Sequence, residues 1–196
     1  MQCRWAHLIF VASLCVTGVR AAPQKEFLTP KEIEKIQDAQ EIDKRVKIYM
    51  EAAELRLNSA QERLNGKESE EGDPLEFYTV EDMLDGYYRI LRSVMLNIDD
   101  ASQKPGNDPA KVTKALRSLK DTTERAIKQL DALKKTAEDK KLEKVWNLTN
   151  QAIDINKGAR EGATMALAGK PAADEKPSEK PKSKKPTLSR PPEKPV

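Results

Sequence analysis

The stretch TPKEIEKIQDAQEIDKRVKIYMEAAELRLNSAQERLNG, residues 29–66, decides the fold of this 196-residue chain. Apolar side chains recur in it at steps of three and four, which places them along one face of an α-helix. We therefore expect one amphipathic helix that runs from Thr29 to the Asn65–Gly66 pair, a typical helix end. Its apolar face contains Ile33, Ile36, Ala39, Ile42, Val46, Tyr49 or Met50, Ala53, Leu57, Ala60 and Leu64.

The polar face of this helix carries charges of opposite sign. Glu41 lies four residues before Arg45, and Asp43 lies four residues before Lys47. Side chains at this spacing are neighbours on a helix surface. We expect both pairs to stabilise the helix by a few tenths of a kcal/mol.

Three further apolar stripes with helical spacing follow this stretch. The second helix contains Gly86, which suggests either a close contact with another helix or a local bend. The boundary between the third and fourth helices has no Gly or Pro, so one long helix is possible. We favour a turn near Asp139, because one uninterrupted helix would leave its apolar stripe uncovered. Capping residues mark the first three helix starts, namely Thr29 with Glu32, Thr79 with Asp82, and Asp108 with Pro109.

No strand alternation is present in the sequence, so the predicted fold class is all-α. We expect an antiparallel up-and-down helical bundle of four helices, with three as the fallback. The bundle domain should cover residues 22–168.

Residues 1–21 resemble a secretory signal peptide, with a positive charge at Arg4, a short apolar run and small residues before Ala22. A retained membrane anchor and lipidation at Cys15 are the alternatives. Cleavage would remove Cys3, Cys15 and His7, which are the only cysteines and the only histidine of the chain.

A mature chain without these residues cannot assemble several common kinds of site. Ser-His-Asp and Cys-His catalysis are excluded, as are zinc sites of the Cys/His type and attached haem. A di-iron centre would need a histidine in a Glu-x-x-His motif. We therefore expect no cofactor, no metal and no catalytic residue, although an enzyme that uses carboxylates or a Tyr-Lys pair stays formally possible.

Two acidic clusters could hold a hard cation such as Ca²⁺. Their spacing matches no known loop pattern, so a solvated loop in one and turn-forming and capping roles in the other are the preferred interpretations. The clusters are Glu68, Glu70, Glu71 and Asp73, and Asp99, Asp100, Asn107 and Asp108.

Two features of the later helices have more than one interpretation. One of Tyr87 and Tyr88 must point away from the core and could belong to a partner-binding patch or cover a helix junction. Gly158 and Gly162 form a small-xxx-small pattern, which predicts either close approach to a neighbouring helix or fraying at the helix end.

Residues 169–196 are rich in Pro and Lys, and we expect them to form a disordered tail. The basic run Lys180, Lys182, Lys184, Lys185 and Arg190 could contact anionic lipid or cell-wall polymer. The alternatives are a spacer and a solvated linker. We expect no nucleic-acid partner for an exported protein.

The runs LTPKEIEKIQDAQEIDKRVKIYMEAAELRL and TVEDMLDGYYRILRSVMLNIDDA resemble a group of uncharacterised exported helical proteins of soil bacteria, notably acidobacteria. The resemblance covers the chain from about Phe27 to the fourth helix. It implies a location in the bacterial envelope and an all-helical fold, and it supplies no activity and no binding residues.

These observations favour a secreted or periplasmic, non-enzymatic interaction or scaffolding protein that is not an integral membrane protein. Its partner would be an unidentified protein or an anionic envelope surface, and its oligomeric state stays open. The alternative function is a small-ligand carrier with a pocket between helices, lined by residues such as Tyr49, Tyr87 and Trp146.

Overall fold

The computed structural model describes residues 26–169, and this part of the chain is helical without any strand. The all-α prediction is therefore confirmed for the described residues. The described residues form five helices where the sequence predicts four: α1 (Pro30–Asp38), α2 (Ile42–Leu64), α3 (Val80–Gln103), α4 (Pro109–Asp139) and α5 (Glu143–Leu167). The predicted signal peptide lies outside the described residues, and so does the predicted tail apart from Gly169.

The prediction of one continuous helix over residues 29–64 is wrong, because the helix is interrupted between Ala39 and Glu41. Ala39 and Glu41 both have extended backbone conformations. Arg45 donates from Nε and Nη2 to the Ala39 carbonyl, at 3.3 and 3.0 Å, and so satisfies an acceptor at the end of α1.

A long-range ion pair forms across this break. Glu32 and Arg56 lie 24 residues apart in the sequence, and Arg56 donates to the Glu32 carboxylate through Nη1 and Nη2. In a straight helix they would be about 36 Å apart. The break lets α1 fold back against α2, which brings the two side chains together.

The ion pairs expected on the polar face of the first helix are also replaced. Glu41 pairs with Lys44 at 2.9 Å and with Lys111 of α4. Asp43 is buried, and its Oδ2 accepts a hydrogen bond from Lys114 Nζ at 2.7 Å. These carboxylates therefore connect α2 to α4 instead of stabilising α2 alone.

Four of the helices pack around a common core. Helix α2 contacts α3 and α4, α5 contacts α3 and α4, and α1 lies against α2. The core is rich in alanine and in medium-sized aliphatic side chains, which lets helix backbones approach closely. Its largest fully buried apolar side chains include Tyr87, Leu57, Leu75, Met83, Leu84, Ile90, Leu91, Leu130 and Leu133.

The predicted turn near Asp139 is confirmed. Helix α4 ends at Asp139, and Lys141 adopts a left-handed conformation with φ of 56°. The Leu142 amide donates to the Ala137 carbonyl at 2.9 Å, and the Lys141 amide donates to the Glu138 carbonyl at 3.0 Å. This is the Schellman pattern, in which glycine is the usual left-handed residue.

The predicted helix starts are confirmed as well. Thr29 and Glu32 form a reciprocal capping box, and so do Thr79 and Asp82. Asp108 Oδ1 accepts the Ala110 amide at 2.9 Å. These caps satisfy amide groups that the first helical turn leaves without partners.

Candidate functional site

A buried ion pair joins α1 to α2. The Arg56 side chain is 1% exposed and the Glu32 side chain is 14% exposed. Arg56 Nη1 and Nη2 each lie 2.8 Å from a Glu32 carboxylate oxygen, and Nη1 also donates to the Ala52 carbonyl at 2.8 Å. Such a bidentate pair fixes the orientation of both side chains.

The backbone of α3 and the start of α1 lie in close contact with this ion pair. Gly86 of α3 lies directly over Arg56, because a Cβ at position 86 would lie 3.3 Å from both Cδ and Nε of that side chain. Of the two interpretations of Gly86, the close contact is therefore the one that applies. Glu32 Oε2 also accepts the Thr29 amide at 2.7 Å, so the same carboxylate caps α1 and binds Arg56.

The ionisation of Glu32 follows from these contacts. Burial by itself would raise the pKa of the carboxyl, but the hydrogen bonds from Arg56 and Thr29 and the charge of Arg56 outweigh it. The pKa of Glu32 is therefore held below its usual range, and the pair stays charged at neutral pH.

The segment before α1 is tied to α3 and to the loop that precedes it. The Arg89 guanidinium lies 4.4 Å from the centre of the Phe27 ring, within the range of a cation–π contact. Tyr78 Oη donates to the Glu26 carbonyl at 3.0 Å. Together with the Glu32–Arg56 pair, these contacts hold α1 in place although none of its own residues is fully buried.

A second polar group lies in the core between α3 and α5. Tyr87 Oη donates to Asn156 Oδ1 at 2.8 Å, and Asn156 Nδ2 donates to the Ala152 carbonyl at 2.6 Å. Burial raises the pKa of Tyr87 well above its ordinary value, with the Asn156 hydrogen bond acting in the opposite direction. The Tyr87 hydroxyl is therefore neutral at ordinary pH and is hydrogen-bonded to Asn156.

An apolar groove of about 560 Å³ opens near the C-terminal ends of α3 and α5 and the start of α4. Buried Ile98, Leu119 and Ala159 lie in its floor. Partly exposed aliphatic and thioether side chains contribute its walls, namely Met95, Leu116, Ile155 and Met165.

Small residues keep this groove open. A Cβ added at Gly158 or Gly162 would have no atom within 4 Å apart from their own helical neighbours, so the predicted close approach of another helix at these glycines is wrong. Both glycines line the groove together with two exposed carboxylates, Asp99 and Glu161. The groove residues include no Lys or Arg.

The aromatic residues expected around a ligand pocket lie elsewhere. Tyr87 is a core residue bonded to Asn156. Tyr49 and Trp146 are half-buried, and the Lys134 ammonium lies 5.0 Å from the centre of the Trp146 ring. None of the three aromatic residues lines the groove.

The acidic clusters agree with the preferred interpretations, since Glu68, Glu70 and Glu71 of the first are exposed and Asp108 of the second is a helix cap. Asp73 Oδ1 accepts the Leu75 amide at 2.7 Å, and Asp108 caps α4. Arg63 donates to Ser69 Oγ and to the Leu75 carbonyl, which holds the acidic loop against α2. Residues 26–169 contain no cluster of three or more His, Cys, Asp or Glu side chains suited to hold a metal ion.

The basic residues proposed for surface contact, Lys180, Lys182, Lys184, Lys185 and Arg190, lie outside the described residues. The residue that sequence reasoning missed is Arg56. Its signal is weak but present, since Arg56 stands between Ala53 and Leu57 of the apolar stripe and one turn after Ala52.

Comparisons with protein-family models, curated proteins and solved structures found no match for this chain. Among the described helices, none combines the length and the apolar character that crossing a membrane requires.

Proposed function

We propose that this chain is an exported, non-enzymatic interaction module whose basic C-terminal segment contacts an anionic surface of the bacterial envelope. The observation that carries the proposal is the separation of charge. Residues 170–196 contain eight Lys or Arg and four Asp or Glu, whereas residues 26–169 contain 24 and 28. An anionic surface would repel the body and attract the segment, so the segment would make the contact.

The hydrogen bonds that the buried polar side chains make within the protein support a non-enzymatic role. Arg56 is bonded to Glu32 and to backbone, and Tyr87 is bonded to Asn156. Catalytic groups are typically found in a cleft where they can meet substrate. These groups instead join one helix to another, which is what a rigid platform needs.

We also propose that α2–α5 form an up-and-down bundle. Residue numbers rise together across the contact of α2 with α4, from Asp43 with Lys114, through Glu54 with Arg125, to Gln61 with Gln129. These two helices therefore run in the same direction, as alternate helices of such a bundle do. A distance measured between spin labels at the two ends of α2 and α4 would test this arrangement.

Binding to vesicles made of equal parts phosphatidylglycerol and phosphatidylcholine tests the functional proposal. The tail variant would carry glutamine in place of Lys180, Lys182, Lys184, Lys185 and Arg190. The matched control would carry the same five-charge change on exposed positions of the helical body, at Lys128, Lys135, Lys144, Lys157 and Arg160.

The tail variant should lose affinity by up to about 3.5 orders of magnitude, since each of the five charges contributes about 1 kcal/mol near an anionic surface. The control variant should lose far less, and added salt should weaken binding of the unaltered protein. Equal losses in both variants, or no binding by the unaltered protein, would remove the proposed role of the segment.

A further inference from the structure

We propose that residues 184–190 of this chain dock in the apolar groove between α3, α4 and α5. The inference goes beyond the envelope contact and does not depend on it, and because both use Lys184, Lys185 and Arg190, docking in the groove and contact with an anionic surface are alternative states of the segment. It concerns what covers an open apolar surface whose residues include Met95, Ile98, Leu119 and Met165.

The position of the segment is the first argument. The groove includes Ala166, and Gly169 follows three residues later, just past the end of α5 at Leu167. Gly169 has φ of 71°, and its amide donates to the Ala166 carbonyl at 3.1 Å, so the chain turns away from the helix axis there. The next 27 residues therefore start beside the groove. A short tether of this kind gives a local concentration on the order of millimolar.

Length is the second argument. The groove extends along α5 from Ile155 to Ala166, which corresponds to about 16 Å of helix. Seven residues at about 3.1 Å each span this length. Leu188 lies 19 residues after Gly169, so the chain can return along the groove without strain.

Complementarity is the third argument and selects residues 184–190 within the segment. Leu188 is one of only two large aliphatic residues after Gly169, the other being Val196. Three cations flank Leu188 within four residues on either side, namely Lys184, Lys185 and Arg190. The groove presents the matching pattern, since its apolar floor lies beside exposed Asp99 and Glu161 and includes no Lys or Arg.

Methionine methyl NMR of the full chain can test this docking. Met95 and Met165 line the groove, whereas Met50 and Met83 are buried away from it and serve as internal controls. Leu188→Ser removes the proposed anchor, and Val196→Ser is its matched control. The signals of Met95 and Met165 should change in Leu188→Ser and stay in place in Val196→Ser, with Met50 and Met83 unchanged in both.

A second variant blocks the groove itself. Gly162→Leu places a side chain in open space and improves helix propensity, so the fold should be kept. Gly162→Ala improves propensity with little filling and is the control. Leu188→Ser should have little further effect on the Met95 signal when Gly162→Leu is present, and its full effect when Gly162→Ala is present.

Three results would overturn the inference. One is an unchanged Met95 signal in Leu188→Ser. Another is a Met95 signal that depends on protein concentration, which would indicate a second copy in the groove. The third is a change that appears only when a fatty acid is added, which would indicate a ligand site. Leu188→Ser keeps every charge of the segment, so vesicle binding should survive it and the two proposals can fail separately.

Discussion

Removing the charge of Glu32 should strongly destabilise the protein. Glu32→Gln keeps the size of the side chain and can still accept the Thr29 amide. It leaves Arg56, whose side chain is 1% exposed, without a counter-charge. Breaking a buried pair in this way typically costs about 3–5 kcal/mol, a large share of the roughly 5–15 kcal/mol that stabilise a domain.

Urea unfolding followed by circular dichroism at neutral pH measures this cost. Glu34→Gln is the matched control, because Glu34 is exposed on the same helix and its change should stay within about 0.5 kcal/mol. Adding Arg56→Met to Glu32→Gln should recover most of the lost stability, since an apolar side chain of similar length can replace the uncompensated cation.

The same pair predicts a dependence of stability on pH. Because the pKa of Glu32 is lower in the folded protein than its ordinary value, the pair contributes fully above about pH 4.3 and its contribution is lost as pH falls through the folded value. Glu32→Gln should therefore make acid unfolding less steep. A loss below about 1 kcal/mol for Glu32→Gln at neutral pH would refute the reasoning, because it would mean that α1 does not bury Arg56.

Three other predictions concern single contacts. Hydrogen bonds from Lys111 and from the neighbouring lysine of α2 lower the pKa of Glu41 to about 2, so Lys111→Gln should raise the pKa toward its ordinary value in a carboxyl NMR titration. Lys141→Gly should raise the free energy of unfolding by about 0.5–1 kcal/mol, because it relieves a left-handed non-glycine residue; unchanged stability would show that the turn relaxes. Tyr87→Phe should cost about 1–3 kcal/mol by leaving Asn156 Oδ1 without its donor, and a neutral result would mean that water reaches this site.

Local signals in the sequence predicted the helix starts, whereas the turn between α4 and α5 was predicted from the length of the apolar stripe that one uninterrupted helix would leave uncovered. Thr29, Thr79 and Asp108 cap helices because their side chains satisfy nearby amides, and this depends on neighbouring residues alone. The apolar stripes likewise predicted most of the core, since Val46, Leu57 and similar positions are buried.

The break between α1 and α2 could not be predicted in the same way. Residues 38–42 contain no Gly or Pro, and every local preference there allows a helix. The deciding contact joins Glu32 to Arg56, which are distant in a straight helix and meet only after the chain has turned. Burial of Asp43 against Lys114 was missed for the same reason, because the partner lies 71 residues away.

The groove could not be predicted for a different reason, which concerns its two glycines. Gly158 and Gly162 were recognised as unusual, but a small residue permits either a close helix contact or an open space. Gly86 makes a close contact with Arg56, whereas Gly158 and Gly162 face open space. Only the packing of α3, α4 and α5 distinguishes them.

Binding of the purified protein to anionic vesicles, at about 50 mM and about 500 mM salt, tests the central proposal most directly. We predict salt-sensitive binding that the tail variant loses and the body control retains. Binding that is unaffected by salt, or that survives removal of the five basic charges of the segment, would contradict the account.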